Sequence, residues 1–456
     1  MPRLSSLRLG IIAMVLANLT GSLGAAEPAP WKVGIARAKI TPERLMWMAG
    51  YAIRTHPAEG TLHDLWLKAV ALEAPDGGRA VIVAADLLGF PKSVADPICA
   101  RLRAQCGLAR DQIMLNASHT HCGPVLRGAL YDVYPLDDAQ RALIEQYSLG
   151  LETTAVNTVA AALAELRPAT LWSGEATADF AKNRRNNLER DVPEMLRRGI
   201  PLKGPVNHRV PVLAVRNPQG ALRAAIFGYA CHNTTLDFYQ WCGDYAGFAQ
   251  LGLEQDHPGL AALFFQGCGA DQNPIPRRTL ERCQIYGRML AGAVSEALGR
   301  PMRPIPARLR TAFEIVPLGL VPPTEEELHQ LAQTGAAYQK HWARRLLDER
   351  QRGVAWPATY PYPVQVWRLG DDQLWVILGG EVVVDYSLRL EKQYPHVWVA
   401  GYSNDVMAYI PSHRVWKEGR YEAGAFAVYG LPAMQWGEDI EQRIVGCVDR
   451  LVRKVQ

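Results

Sequence analysis

Short, nearly continuous apolar runs recur along this chain, and most stop at glycine, aspartate, asparagine or histidine: RAVIVAADLLGF, PVLAVRN, ALRAAIFGYACH, ALFFQGCGAD, QLWVILGGE and VWVAGYSND. Runs of this length, without helical periodicity, match strands buried on both faces. Between them, SVADPICARLRAQC, AQRALIEQYSLGLETTAVNTVAAALAEL and LERCQIYGRMLAGAVSEALG carry apolar residues at helical spacing. Strand and helix alternate, which predicts an α/β fold: a mixed sheet core covered by helices, with its chemistry at strand ends and loops.

Two further segments read as helix. Residues 324–352 open on a Thr-x-x-Glu capping signature and carry dense charge, which predicts a solvated helix or helical hairpin over the core. GEDIEQRIVGCVDRLVRKV, near the C-terminus, reads as an amphipathic closing helix. The first 26 residues differ from all of these: Arg3 and Arg8 precede the apolar run LGIIAMVLANLTGSLGA, and small residues follow before Glu27. That is the pattern of a cleavable secretory signal, so the mature chain is expected to begin near Glu27 and to be secreted or periplasmic. The run is short for a membrane span and is broken by Asn18, Thr20 and Gly21.

The formal charge is +4, and it falls by two when Arg3 and Arg8 leave with the leader. Such a balance gives no electrostatic case for nucleic acid. No later segment is long and apolar enough to cross a bilayer, so a soluble protein with at most peripheral membrane contact is expected. The rest of the chain, 27–456, lacks a Pro/Ser-rich linker and reads as one catalytic domain. Eight cysteines in an exported chain allow disulfides, with Cys99 and Cys106, or Cys231 and Cys242, the nearest pairs in sequence.

The densest chemistry lies in LNASHTHCGP, where His119 and His121 are two apart, Cys122 follows, and Gly123-Pro124 stops regular structure. Residues i and i+2 share a face of an extended chain but not of a helix, so the two imidazoles converge only at a strand or its exit. A metal corner, a nucleophile with its base, and two hydrogen-bonded loop histidines all remain open on this spacing. Other strand ends add competent groups: YACHNTT with His232, GCGADQNP with Asp271 and Asn273, LGGEVV with Glu381, and MAYIPSHRVWKEGRYEAG with Tyr409 and Tyr421.

In this order, these segments resemble the neutral/alkaline ceramidase family, zinc-dependent enzymes that hydrolyse the amide of N-acylsphingosine. The resemblance runs from about Ile40 to about Gly424, and its most specific piece is Ser-His-Thr-His-x-Gly-Pro at 118–124. It implies that His119, His232, Glu381 and Tyr409 hold Zn²⁺, and that His121 faces the substrate carbonyl. It also implies active-site roles for Tyr421, twelve residues after Tyr409, and for Arg184 of an Asn-Arg motif. Neutral imidazoles and a carboxylate suit zinc and leave room for water, whereas tyrosine is a rarer and weaker ligand.

Two departures bear on mechanism. The family's Gly-Asp-x-Ser-Pro serine is matched here by Asn273. An amide nitrogen cannot attack an acyl group, so a metal-activated water takes the part of nucleophile, unless Cys122 does. The family also continues beyond its Tyr-Glu motif into a β-sandwich domain, while this sequence ends about 30 residues after Glu422. Among the remaining residues, His63 is a candidate for orienting the N-terminal segment near the site. Asp244 is a candidate either for orienting His232 or for forming a turn.

The expected activity is therefore zinc-dependent cleavage of a linear amide, in a ceramide-like N-acyl lipid or a related N-acyl amine. The alternatives are a zinc hydrolase for a different amide or ester, such as an acylated amino sugar, peptide or amino acid, and a catalytically silent binding protein on the same fold.

Overall fold

A computed structural model describes residues 30–456. The leader-like segment falls outside the described residues. The fold is mixed α/β, and its sheet core is divided in two. The larger sheet has nine strands. Along its main path run Ala261–Gln266, Leu222–Tyr229, Arg209–Arg216, Arg167–Thr177, Trp31–Lys39, Trp66–Glu73, Arg79–Ala85 and Ile113–Ala117. Neighbours are antiparallel except for the pair at each end, which is parallel. The smaller sheet runs Val397–Ala400, Gln373–Leu378, Thr359–Leu369, Leu309–Val321 and Gln435–Trp436.

The apolar runs are continuous because alternate residues enter different cores. In Arg79–Ala85, Val81 and Val83 face the helices, while Ile82 faces the second sheet. In Gln373–Leu378 the same alternation sends Val376 outward and Trp375 and Ile377 inward. The shared interior holds Trp367, Trp375, Trp398 and Phe265 between the sheets. Helices Lys92–Cys106, Asp138–Ala164, Asp244–Asp256 and Leu280–Gly299 cover the larger sheet. Val384–Gln393 and Ile440–Lys454 cover the smaller one. The strands with continuous apolar runs are thus buried on both faces, as their composition demands.

The larger sheet curls until its two end strands meet, and Asn116 joins them. The buried side chain of Asn116 accepts from Gln266 N at 2.8 Å on the opposite end strand. It also donates to Gly401 O and Ser403 Oγ, both at 2.9 Å, beyond the last strand of the smaller sheet. Three strand exits are thereby drawn to one place.

Residues 324–352 form two helices, Glu325–Thr334 and Ala337–Gln351, with a Thr324–Glu327 capping box. Their apolar side, Leu328, Trp342, Ala343 and Leu346, packs with Ala427. Trp342 Nε1 donates to Leu431 O at 3.0 Å, and Arg345 ties Asp132 to Gly430 O, both bonds 2.7 Å. The hairpin therefore clasps the chain around Tyr429 rather than projecting freely.

All eight cysteines are free thiols, so neither disulfide considered from the sequence is present. Cys99 and Cys106 lie along one helix, and Cys231 and Cys242 are each packed into the apolar interior.

Candidate metal centre

His119 lies just past the end of Ile113–Ala117, and there the backbone turns left-handed, at φ 60°. This turn at the strand's exit, where the spacing places the pair, swings the ring of His119 onto that of His121. Their Nε2 atoms are 3.2 Å apart. His121 N donates to Asn233 O at 3.3 Å, which ties this loop to the one bearing His232. His232 follows Leu222–Tyr229, and its own N–H donates to Gln272 O at 2.9 Å.

Glu381 arrives from the smaller sheet, after Gln373–Leu378, through a turn at Gly380 with φ 70°. A Cβ on Gly380 would sit 2.6 Å from Ile410 Cγ1 and 2.8 Å from Ala408 O, so only glycine lets the turn close. Gly50, at φ 105°, is similarly required: its Cβ would lie 2.4 Å from the ring of His121.

The imidazoles of His119, His121 and His232 form a buried group whose ligand atoms all lie within 4.8 Å of one another. Glu381 Oε2 is 3.3 Å from His119 Nε2 and 3.0 Å from His232 Nε2. The proton positions follow from the outer contacts. His119 Nδ1 faces Leu88 O at 2.7 Å, and His232 Nδ1 faces Gly269 O at 2.9 Å. A carbonyl oxygen only accepts, so each Nδ1 carries a hydrogen, and in the neutral ring Nε2 is then the nitrogen with the lone pair.

Two lone pairs and a carboxylate oxygen thus point at one another. Although His232 Nε2 and Glu381 Oε2 are within ion-pair distance, neither has a hydrogen-bond partner. Burial, then Arg184, brings His232 down to about 4, so it is neutral at pH 7. Converging acceptors without a proton repel unless a cation lies between them. With their outer nitrogens fixed by carbonyls, His119 and His232 have the arrangement of metal-ligating histidines. The donor set fits Zn²⁺.

His121 differs from both. Its Nδ1 has no partner, so no outer contact selects its tautomer. Burial, with His119 and His232 nearby, lowers its pKa well below the ordinary imidazole value.

Tyr409 pairs in register with Glu381 across two short parallel strands, and its ring lies parallel to that of His232 at 6.4 Å. Its hydroxyl is 3.4 Å from Arg184 Nη2. Arg184 is held further by Glu422 Oε1 at 2.9 Å and by Asn273 Oδ1 at 3.4 Å. Asn273 therefore serves as an acceptor for Arg184. Tyr421, 47% exposed, packs against Tyr409 with ring centroids 5.2 Å apart.

Arg184, Tyr409 and Tyr421 line a cavity of about 210 Å³ with His119, His121, Glu381 and Tyr429 on its walls; His232 and Asn273 lie behind it. A cleft of about 270 Å³ between residues 39–46 and Asp138–Ala164 is larger but contains no histidine. Chemistry, not size, marks the site.

Sequence reasoning missed Tyr429, whose hydroxyl donates to Glu381 Oε1 at 2.5 Å. Nothing in AFAVYG distinguishes this tyrosine; only the docking of Phe426–Tyr429 under the hairpin aims it. Asp244 does not orient His232. It accepts instead from the backbone N–H groups of Thr235, Leu236 and Tyr245, as a turn-forming carboxylate. His63 accepts from Gly243 N and packs on Phe248, and it does not line the cavity. Cys122 and Cys268 are fully buried among apolar side chains.

Residues 31–267 match the family described as neutral/alkaline non-lysosomal ceramidase, N-terminal. That span includes His119, His121, Arg184 and His232; Asn273, Glu381, Tyr409 and Tyr421 lie beyond it. Comparison with curated proteins finds no match. Among solved structures, neutral ceramidase from Pseudomonas aeruginosa superposes with a TM-score of 0.68 at 20% identity, covering 93% of this chain and 75% of that one. A structure described as ceramidase complexed with C2 superposes with a TM-score of 0.68 at 20% identity, covering 93% of this chain and 76% of that one. At this identity the superpositions speak to the fold alone.

Proposed function

Because the chain belongs to the neutral/alkaline non-lysosomal ceramidase family, we propose that it is a zinc-dependent hydrolase of linear amides. Its substrate is a ceramide-like N-acyl lipid or a related N-acyl amine. The observation that carries the metal is that His119 Nε2 and His232 Nε2 lie 3.3 and 3.0 Å from the same Glu381 Oε2, while His232 Nε2 and Glu381 Oε2 are buried without a hydrogen-bond partner. Zn²⁺ bound there would supply Lewis acidity, polarising an amide carbonyl and lowering the pKa of water. His119, His232 and Glu381 are its ligands, with Tyr409 beside them.

The chain's other residues then divide the remaining tasks. His121, with an Nδ1 that no protein group holds, is free to carry a proton between water and the departing amine. Tyr421, at the cavity's mouth, donates to the developing oxyanion. Arg184 spends three donors on Glu422, Asn273 and Tyr409, which positions Tyr409 and leaves N–H groups for a polar substrate atom. Tyr429 holds the second oxygen of Glu381 and so fixes which oxygen faces the histidines. The buried thiol of Cys122 takes no part.

The reading includes one catalytic domain over 27–456 and export, which the composition of residues 1–26 supports. No helix among the described residues is long and apolar enough to cross a membrane.

Metal analysis of the purified protein, with His232→Ala and a panel of ceramides, other N-acyl amines and matched esters, tests the proposal. The expected result is about one zinc per chain, lost in the variant, and release of a carboxylic acid from amides that chelation abolishes. Full zinc occupancy in both His119→Ala and His232→Ala, or cleavage of esters without amides, refutes it.

A further inference from the structure

Three arginines line the cavity: Arg184, Arg277 and Arg278. Two are already committed. Arg184 makes the three bonds described above. Arg277 grips Glu189 with Nε and Nη2, at 2.7 and 2.5 Å, and donates Nη1 to Thr234 O at 3.3 Å.

Arg278 is different. Its five N–H groups make no hydrogen bond within the described residues, and its buried Nη1 is unpartnered. Asp237 Oδ2 lies 3.3 Å from that Nη1 without hydrogen-bond geometry. Both side chains of this pair are about a third exposed, so solvent weakens the attraction.

The guanidinium is nevertheless held in place. Arg278 lies over the ring of Tyr51, 4.9 Å from its centroid, and Tyr51 in turn packs against His121 with centroids 4.7 Å apart. Tyr51 is itself pinned, its hydroxyl 2.9 Å from Leu236 O. The backbone of Arg278 is left-handed, at φ 84°, and its N–H donates to Thr235 O at 2.7 Å. A non-glycine residue in that region costs energy that the surrounding contacts must offset, and such positions concentrate where a side chain has to be aimed. Beside it, Thr234 lines the same cavity with a buried hydroxyl that has no partner. One aromatic ring from His121, the cavity wall thus carries a guanidinium that makes no hydrogen bond, its charge shared only with the partly exposed Asp237, and a hydroxyl without a partner.

A ceramide's hydroxyl oxygens accept hydrogen bonds singly but bring no counter-charge to the guanidinium. A carboxylate accepts from a guanidinium through two parallel hydrogen bonds.

We propose that the substrate is an N-acyl amine with a carboxylate close to the amide, as in an N-acyl amino acid, and that Arg278 and Thr234 receive that carboxylate. Hydrolysis then breaks the amide C–N bond, with water supplying hydroxyl to the acyl carbon and hydrogen to the free amino acid. The inference rests on the amide-hydrolase reading above.

The test compares N-acyl amino acids with their neutral carboxamides, with ceramide and with phosphate-bearing N-acyl amines, using zinc-loaded wild type, Arg278→Ala, Arg278→Lys and Arg278→Gly. The glycine variant suits the left-handed backbone and guards against misfolding. Wild type should prefer the carboxylate over its carboxamide in kcat/KM, and loss of the guanidinium should lower that ratio roughly 10- to 100-fold. Lysine should restore only part of it. Calorimetric binding of an N-alkyl amino acid, which cannot be hydrolysed, should weaken in parallel. Equal turnover of carboxylate and carboxamide, a preference for phosphate, or an unchanged ratio in the variants overturns the inference while leaving amide hydrolysis standing. Failure to cleave any amide removes the underlying reading instead.

Discussion

The left-handed backbone at His119 and the missing Cβ at Gly50 show how closely single residues constrain this site. One aims a ring and the other makes room for its neighbour. A different residue nearby carries an electrostatic burden. Asp405, whose backbone carbonyl accepts from Gly380 N, is buried beside Tyr360, with Oδ2 2.6 Å from the phenol. Burial pushes its pKa up from 3.8 to about 7, against the opposing pull of Tyr360 and Lys92. A carboxyl whose folded pKa is raised stabilises the fold below its unfolded pKa, and that contribution is lost as pH rises toward 7. Asp405→Asn keeps an acceptor for Tyr360 and removes the charge. It should stabilise the protein by up to about 4 kcal/mol at pH 8 and by much less at pH 4. Denaturant unfolding at both pH values measures this, and an equal effect at the two would show that Asp405 has no such burden.

Among the elements, the hairpin Glu325–Thr334 and Ala337–Gln351 has the least obvious purpose in the sequence, because its charge reads as solvated surface. Its packing against the Phe426–Tyr429 segment gives it one: it holds the tyrosine that orients Glu381. Trp342, fully buried and bonded to Leu431 O, is the anchor. Trp342→Ala should cost about 3–5 kcal/mol of local stability. Hydrogen exchange should quicken in the hairpin and in 426–431 while the central strands keep their protection. Activity should fall at least tenfold as Tyr429 loses its support. Faster exchange with full activity would mean that Glu381 is oriented without the hairpin.

For the molecule as a whole, the decisive feature is that the larger sheet brings its own end strands together. Asn116 spans them and reaches the smaller sheet as well, so the supports of His119, His232 and Glu381 share one buried side chain. Asn116→Ala leaves Gln266 N–H without its partner, at about 1–3 kcal/mol, while Gly401 O keeps the bond from Ser403 Oγ. The variant should lose stability in denaturant and bind zinc roughly 10- to 100-fold more weakly. Loss of stability with undiminished zinc affinity would show that the histidines are held independently of this junction.

The sequence alone determined the elements whose burial is written into composition. Arg79–Ala85, Leu222–Tyr229, Ala261–Gln266 and Gln373–Leu378 are apolar because both faces are covered, and each long helix carries its own stripe. It also placed the metal-competent side chains at strand ends, since a histidine or glutamate after an apolar run is legible without coordinates. Strands such as Arg167–Thr177 and Leu309–Val321 were harder to read, because their partly exposed, charged positions break up the apolar signal. Composition reports burial but not against what, so the division into two sheets and the closure through Asn116 were beyond it. The same holds for Tyr429 and for Arg278: one tyrosine finds Glu381, and one arginine reaches the cavity wall without a hydrogen bond, only through contacts between segments far apart in the chain. Local sequence sets local conformation and burial, whereas the direction in which a side chain points across the site is fixed by long-range packing.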